Sequence, residues 1–405
     1  MTSSDPIDRA RRAVFTVFAL AGLSFMAFAS RMPDVKRLLG LSPGQLGTTL
    51  LALSAGSLIG LPASGRISHR FGAAAAVGFG LCTSFVGLGL AGAGVDLADS
   101  RWVVMLGLFL AGIGIGVWDV GMNLEGATIE RLTGRSVMPR FHAAFSGGTV
   151  VGASVGALLS ALHFPVVVHL VTSGVLVASV GFASVGRFLP HATEGSGGRV
   201  DEVRGPVASA WTERRTLLIG VVTMIAAATE GTANDWLSVA MVDGHHLPGW
   251  AGTLCFATFL SFMTVGRISG TGLLDRYGRV PLLRSMFALA FVGALIVVFG
   301  SWPLAFVGAA CWGLGASLGF PVGMSASADD PLRAAARMSV VSTVAYTAFL
   351  GGPPLLGFLG DHVGVLRALL FIGVLAVVAL ALAPVTREPA PSATRDPPQP
   401  TAAPA

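Results

Sequence analysis

Four carboxylates lie inside long apolar stretches of the sequence: Asp119 and Glu125 in one, Glu230 and Asp235 in another. An ionisable group at membrane depth is costly unless it is paired or hydrated, so such residues are candidates for function. A carboxyl group in these surroundings can bind a proton near neutral pH. We therefore take Glu230 and Asp119 as candidate proton-binding residues. For Glu125 the alternative is a boundary charge that pairs with nearby arginines.

The neighbours of Asp119 predict a polar cluster. In a helix that starts near Trp102, Asp119 lies about 25 Å along the axis. Asn123 follows one turn later on the same face. Glu125 lies deeper, near the inner boundary, and His142, near the start of the next apolar stretch, is expected at that same level. Together these four residues could form a cluster on the cytoplasmic side. We include Asn123, His142 and the adjacent Trp118 among the candidate ligand-binding residues.

The neighbours of Glu230 predict a second polar site. A helix that starts near Thr216 places Glu230 about 21 Å along its axis. Asn234 lies one turn further on the same face, with Asp235 and Trp236 beside it. Asn234 and Trp236 are further candidates for ligand binding. The alternative for Trp236 is an aromatic anchor at the membrane interface.

Arg267 is the basic residue whose position demands a partner. It comes eight residues before Asp275, which places it about 12 Å inside the helix end. An arginine there requires a carboxylate, or an anionic or hydroxyl-rich ligand. Asp119 is the first candidate partner, and the neighbourhood of His142 is the second.

The composition shows what surrounds these residues. Of 405 residues 53% are hydrophobic, and only 12% are charged, against roughly 25% in soluble domains. Too few charges remain to cover the surface of a soluble protein, and the basic residues form no stripe that would bind nucleic acid. These observations exclude a soluble enzyme, a nucleic-acid-binding protein and a disordered scaffold. The composition therefore predicts a protein whose outer surface contacts the lipid bilayer.

The apolar runs predict an all-α membrane protein. A spanning helix needs about 20 mostly apolar residues. Twelve runs of that length occur, in two groups of six. They lie near residues 13–33, 45–65, 73–94, 102–124, 143–163 and 166–186, and then near 216–238, 250–270, 282–300, 304–324, 339–359 and 365–384.

The basic residues predict the orientation. With twelve spans, 21 of the 26 Lys and Arg residues fall on the side that carries both chain ends. Because cytoplasmic loops are rich in Lys and Arg, both termini are expected in the cytoplasm, and the chain in the bacterial inner membrane. The predicted domains are a six-helix bundle over 1–187, a cytoplasmic linker over 188–215, a second bundle over 216–386 and a disordered tail over 387–405.

The two halves show a weak internal repeat at a spacing of about 200 residues. Three short matches occur in the same order, with an offset of 202 to 206 residues. They pair residues 69–72 with 275–278, 120–123 with 322–325, and 145–148 with 349–352. The matches predict two pseudo-symmetric bundles, an architecture in which transporters place the substrate site between the halves.

With these motifs the chain, from residue 12 to 386, resembles the major facilitator superfamily. The loop Leu273-Leu274-Asp275-Arg276-Tyr277-Gly278-Arg279 is similar to the family's pattern after the second helix of each half. The first-half loop departs from it, with His69 at the acidic position and Ala73-Ala74 for the basic pair. In the family this loop holds the cytoplasmic gate shut. The resemblance implies these candidate gate residues: Arg70, Gly72, Asp275, Arg276, Gly278 and Arg279.

The resemblance also implies that the first and seventh helices meet at an outer gate. Arg31, at the outer end of the first helix, is then expected to pair with Asp235 or Glu230 and close that gate. The alternative is an arginine that reaches the headgroups with Asp34 as its local partner.

A second motif bears on the direction of coupling. Gly148, Gly152 and Gly156 follow the spacing of the family's antiporter motif, but Ala153 replaces its proline. This departure favours symport; the glycines alternatively let two helices approach closely. The stretches 118–126, 141–146 and 230–236 are similar to a bacterial branch near the fucose-permease-like sugar/proton symporters.

The expected function is secondary transport of a small solute by alternating access. We expect proton coupling, a sugar-like solute, a monomer, and neither cofactor nor metal ion. A proton-antiporting exporter of drugs or metabolites is the first alternative, and a membrane-embedded sensor or enzyme is the second. We expect no enzyme, because no nucleophile and base or metal-ligand set occurs outside contexts that explain it otherwise.

Overall fold

The computed structural model describes residues 6–133, 137–190, 210–330 and 333–388, and all regular structure in these ranges is helical. Twelve helices in them are long and apolar enough to cross a membrane. In chain order they are Pro6–Leu38 (α1), Pro43–Ser68 (α2), Arg70–Asp96 (α3), Arg101–Thr133 (α4), Arg140–Ala161 (α5), Val166–Val185 (α6), Arg214–His245 (α7), Gly249–Gly270 (α8), Arg279–Phe299 (α9), Trp302–Ser327 (α10), Ala336–Val363 (α11) and Val365–Thr386 (α12).

The predicted fold is confirmed, since each of the twelve apolar runs corresponds to one of these helices. The predicted domain boundaries remain predictions, because residues 191–209 of the linker and 389–405 of the tail lie outside the described residues. We call the end of the molecule at which α1 begins and α12 finishes the terminal end, and the other the opposite end.

Two of the long helices are interrupted. The regular helix in α1 stops at Ala29 and resumes at Met32, where a proline occupies the first turn. In α7 the regular helix ends at Thr232, and Ala233–Leu237 form a π-helical turn before the α-helix continues. A π turn contains one extra residue, so it rotates the side chains that follow relative to those before it.

The internal repeat is visible in the backbone. Gly72 and Gly278 follow the second helix of their halves with φ of 87° and 75°, and both have ψ of 166°. Positive φ favours glycine, which explains the residue type at both turns. In each loop an arginine lies over the aromatic ring that precedes the glycine: Arg70 over Phe71 at 5.1 Å and Arg276 over Tyr277 at 5.3 Å.

Glycines let α1 and α5 pack backbone against backbone. A Cβ atom at Gly148 would lie 2.0 Å from the carbonyl oxygen of Ala19, and one at Gly152 would lie 2.7 Å from the Cβ of Met26. Gly156 faces Ser30 in the same way, and Ala153 is fully buried. The alternative that we gave for this motif, close approach of two helices, is therefore confirmed.

Ion pairs fix the terminal end of the second half. Glu213, before α7, accepts hydrogen bonds from Thr216 Oγ1 and Arg337 Nε, each at 2.7 Å, and also pairs with Arg333. Burial alone would raise the pKa of Glu213, but the hydrogen bonds and the two arginines outweigh it and lower that pKa. The carboxylate thus ties the start of α7 to the start of α11.

Candidate functional site

An ion pair joins α7 and α8 in the middle of the second half. Arg267 Nη2 donates to Glu230 Oε2 at 2.7 Å, and the two side chains are 28% and 20% exposed. The partner of Arg267 is therefore Glu230, and the predicted pair with Asp119 is wrong. Arg267 Nε has no hydrogen-bond partner among the described residues, so one donor of the guanidinium is left for another group.

The neighbourhood of His142, which was the second candidate location for the partner of Arg267, does lie near Arg267. His142 on α5 is exposed, its ring packs edge-to-face on Phe18 at 5.2 Å, and it lies close enough to the charge of Arg267, in the other half, to interact with it. A Cβ atom at Gly147, on another face of α5, would meet nothing within 4 Å. The same is true of Gly351, its counterpart in the repeat.

Asp119 and Asn123 share one face of α4, as predicted. Asn123 Nδ2 donates to the Asp119 carbonyl oxygen at 2.8 Å and to the Asp119 carboxylate at 3.3 Å. Asp119 is close enough to interact electrostatically with Tyr346 of α11. Tyr346 is 41% exposed. The sequence analysis missed Tyr346, although it is one of only two tyrosines and lies inside an apolar run.

Three predicted ligand-binding residues do not reach this space. Trp118 and Trp236 are each 1% exposed, and Asn234 is 9% exposed. Trp118 faces α3, where Gly80 leaves room for it. Asn234 lies in the π turn, so the four-residue spacing that would place it below Glu230 does not apply.

Glu125 also points elsewhere. It is fully buried, and its Oε1 accepts a hydrogen bond from the Leu189 backbone N–H at 2.8 Å. This contact joins the ends of α4 and α6 and keeps Glu125 out of the cluster around Asp119.

The predicted outer pair of Arg31 is replaced by a local one. Arg31 Nε donates to Asp34 Oδ2 at 2.7 Å, and Nη2 donates to the Phe164 carbonyl oxygen at 2.6 Å. Arg31 therefore pairs with neither Asp235 nor Glu230. Asp34 is the partner that the alternative named, but Arg31 is 2% exposed and does not extend to the surface. Both side chains lie next to the interruption of the helix in α1, and both are buried.

Asp235 lies in the π turn of α7 and lines two small cavities, of about 10 and 20 Å³. The second cavity reaches into the first half, between Phe25 and Phe28 of α1 and Leu53 of α2. Asp235 has no hydrogen-bond or ion-pair partner within the described part of the chain.

Polar contacts join the two halves at the opposite end. Lys36 Nζ lies 2.9 Å from Asp243 Oδ2, and Thr253 Oγ1 donates to the Ser30 carbonyl oxygen at 2.8 Å. The Gly44 N–H donates to Asp361 Oδ1 at 3.1 Å. The largest buried apolar cluster also crosses between the halves and contains residues such as Phe28, Trp236 and Phe259. This end is therefore closed.

The predicted gate residues lie at the terminal end, where they are exposed or paired within their own half. Asp275, Arg276 and Arg70 are exposed. Arg279 donates to Asp329 at 2.7 Å within its own half, and Arg215 holds the other oxygen of Asp329 at the same distance. The terminal end therefore has exposed gate residues, while the opposite end is joined by the contacts described above.

Comparison with known proteins identifies the family. A model of the Major Facilitator Superfamily matches residues 14–331 and 249–404. The uncharacterized transporter y4wD of Sinorhizobium fredii is 30% identical over 382 residues, which cover 93% of this chain and 98% of that one.

Two solved structures share the fold. The nucleoside transporter NupG gives a TM-score of 0.73 at 13% identity, with 94% of this chain and 98% of that one covered. A single-residue variant of the E. coli fucose:proton symporter FucP gives 0.62 at 14% identity, with 94% and 98% covered. With twelve apolar helices and this family match, the chain belongs to the Major Facilitator Superfamily and is a multi-pass membrane transporter.

Proposed function

We propose that this transporter carries a small hydroxylated, sugar-like solute together with protons into a bacterial cell. The observation that supports the proposal is the set of polar side chains between the halves: Glu230 with Arg267 and His142 on one side, Asp119 with Asn123 on the other. Polar groups from both halves facing one open space can bind a solute in one conformation and release it in another.

The excess of basic residues on one side supports a terminal end that lies in the cytoplasm, with the chain in the bacterial inner membrane. The structure is then the state closed to the outside and open to the cytoplasm. Separation of the predicted gate residues, Asp275 and Arg276 among them, agrees with this state.

The chemistry of the site favours hydroxyl groups. The Arg267 side chain, which is 28% exposed, and the Tyr346 hydroxyl offer donors, His142 offers a donor or an acceptor, and Asp119 offers acceptors. A solute with several hydroxyl groups can satisfy such a mixture without bringing a charge into the membrane. The names of the two structural neighbours, a nucleoside transporter and a fucose:proton symporter, point to solutes of the same chemistry.

Asp119 and Glu230 are the proposed coupling residues. The carboxylate of Asp119 receives a hydrogen bond from the neutral amide of Asn123. Glu230 already has the positive charge of Arg267 as its partner. Asp119 is thus the carboxylate that can bind a proton without losing an ion pair, and Glu230 can do so when the solute draws Arg267 away.

The test is transport by the purified protein in liposomes that contain a pH-sensitive dye. Each of a panel of sugars, nucleosides and sugar acids is added outside. We expect one class of solute to acidify the lumen of wild-type liposomes, and at least a tenfold loss of that signal in Asp119→Asn and in Glu230→Gln. Asp8→Asn, at an exposed position near the chain start, is the matched control and should transport normally.

Two outcomes would contradict the proposal. Solute entry without proton movement would show that transport is not coupled to protons and that the protein is a uniporter. Proton movement against the solute would show antiport, as in the alternative of a drug or metabolite exporter.

A further inference from the structure

The interruption of α1 leaves one backbone carbonyl without a backbone partner. Pro33 has no N–H to donate, and the regular helix resumes only at Met32. The next carbonyl along the chain, that of Arg31, accepts from the Val35 N–H at 2.9 Å, but no backbone N–H in the described ranges donates to the carbonyl of Ser30. Ser30 is fully buried. A buried carbonyl that makes no hydrogen bond is costly, so this one requires another donor.

The donor comes from the other half of the molecule. Thr253 Oγ1, in the first turns of α8, lies 2.8 Å from the Ser30 carbonyl oxygen. Thr253 is fully buried as well, so bulk water does not compete for this carbonyl. The contact differs in this respect from the pair of Lys36 and Asp243, whose side chains are 18% and 29% exposed. Loss of the Thr253 hydroxyl would therefore leave the Ser30 carbonyl unsatisfied, whereas water can replace either partner of the exposed pair.

A glycine lets α8 reach the interruption of α1. Gly249 lies one turn before Thr253, at the start of α8. A Cβ atom at Gly249 would lie 3.2 Å from Ser160 Oγ of α5 and 3.3 Å from Asp34 Oδ1 of α1. The start of α8 is thus seated against two helices of the first half, and this seat brings Thr253 to the carbonyl.

The Thr253 hydroxyl has a second acceptor within its own helix. Thr253 Oγ1 lies 3.1 Å from the Gly249 carbonyl oxygen, and a hydroxyl has only one hydrogen to donate. When the halves separate, the hydroxyl can donate to Gly249, as Thr258 does to Leu254 at 3.0 Å. The Ser30 carbonyl then accepts from water. Neither group is left unsatisfied when this end opens, so the contact is reversible.

We propose that Thr253 is a positioning residue that holds the opposite end closed, because its hydroxyl supplies the hydrogen bond that the Ser30 carbonyl lacks while the two halves are together. The proposal rests on the proposed function only for the place of the closed state in the transport cycle.

The test measures how often the opposite end opens. The reporter is Ser160→Cys in a background of Cys82→Ser, Cys255→Ala and Cys311→Ala. Ser160 is 8% exposed and faces Gly249 of the other half, so a thiol there is covered while this end is closed. The protein is placed in lipid nanodiscs and labelled with a charged thiol reagent, at concentrations where the rate is proportional to the reagent. The labelling rate then reports the open population, however small it is.

Thr253→Val keeps the shape of the side chain and removes the hydroxyl. We expect this variant to label about 5- to 100-fold faster than the wild type, because its closed state contains a buried carbonyl without a partner. Thr253→Ala also lacks the hydroxyl, should label faster as well, and replaces the valine variant if that variant does not fold. Thr253→Ser keeps the hydroxyl and should label at nearly the wild-type rate.

Thr258→Val is the matched control, because the Thr258 hydroxyl bonds only within α8, and it should label at the wild-type rate. A single symmetric peak on size exclusion shows that each variant is folded. Labelling of Thr253→Val at the wild-type rate would overturn the proposal, and so would faster labelling of Thr253→Ser alone, which would point to lost packing.

A wild type that labels as fast as a cysteine at Leu97, which is 76% exposed, would also overturn the proposal, because this end would then not be held closed. The measurement uses no solute and no proton gradient. Its outcome is therefore independent of whether the proposed function is correct.

Discussion

Gly147 and Gly148 are adjacent in α5, yet a methyl group added to each should have opposite effects. At Gly148 the new Cβ would lie 2.0 Å from the carbonyl oxygen of Ala19 in α1. At Gly147 it would meet nothing within 4 Å. Gly148→Ala is therefore the perturbation, and Gly147→Ala is its matched control.

The size of the effect follows from the contact. Because Cβ atoms essentially never approach within 3.0 Å of another atom, α1 and α5 must move apart by at least about 1 Å. Overpacking of this kind costs about 1–3 kcal/mol, and the gap it opens removes further contacts along the helix pair. Gly147→Ala should instead gain about 0.5–1 kcal/mol, since alanine favours helix more than glycine does.

The assay is thermal unfolding in detergent, followed by the loss of the monodisperse size-exclusion peak. With an unfolding entropy of about 2.1 cal/mol/K per residue, a difference of about 2–4 kcal/mol between the variants predicts midpoints roughly 2–5 °C apart, with Gly148→Ala lower. Equal midpoints would refute the close packing of α1 on α5. A lower midpoint for Gly147→Ala would refute the open space on the other face.

Three further predictions concern ion pairs. Glu230→Gln and Arg267→Gln should each lower the unfolding midpoint more than the double variant does, because each single change leaves an unpaired charge in the membrane; additive shifts would contradict the pair. Glu213→Gln should destabilise the protein at pH 7 by about 1 kcal/mol. Because the pKa of Glu213 is lowered in the folded state, its contribution is present above the ordinary value of 4.5 and is lost as the pH falls through the lowered pKa. The stabilities of wild type and variant should therefore converge in acid, and a constant gap would argue against the assignment. Cysteines at Lys36 and Asp243 should cross-link on oxidation and stop transport reversibly, and full transport by the cross-linked protein would show that this end need not open.

The twelve helices could be predicted from the sequence because the lipid sets a simple length and composition for each. The contact of Asn123 with Asp119 could be predicted as well, since it depends only on the spacing within one regular helix. The partner of Arg267 could not be predicted, because it depends on which helices are neighbours. Only the packing of α8 against α7 selects Glu230.

The π turn at Ala233–Leu237 explains the other errors. Regular helical spacing predicts that Asn234 faces the same space as Glu230, and the extra residue in the turn rotates it into the core. The same rotation takes Asp235 away from Glu230 and toward the first half. No residue type in the stretch signals a π turn, which explains why the sequence allowed a pair of Asp235 with Arg31.

The contacts that close the opposite end suit a gate that must open repeatedly. Polar contacts that join the halves there include Lys36 to Asp243, Thr253 to Ser30, and Gly44 to Asp361. Each contributes only about 0.5–1.5 kcal/mol net, because the groups regain water when they part. Shifting a two-state equilibrium from 1:99 to 99:1 takes about 5.5 kcal/mol. A few contacts of this size add up to an amount of the same order, so they can hold this end shut without locking it.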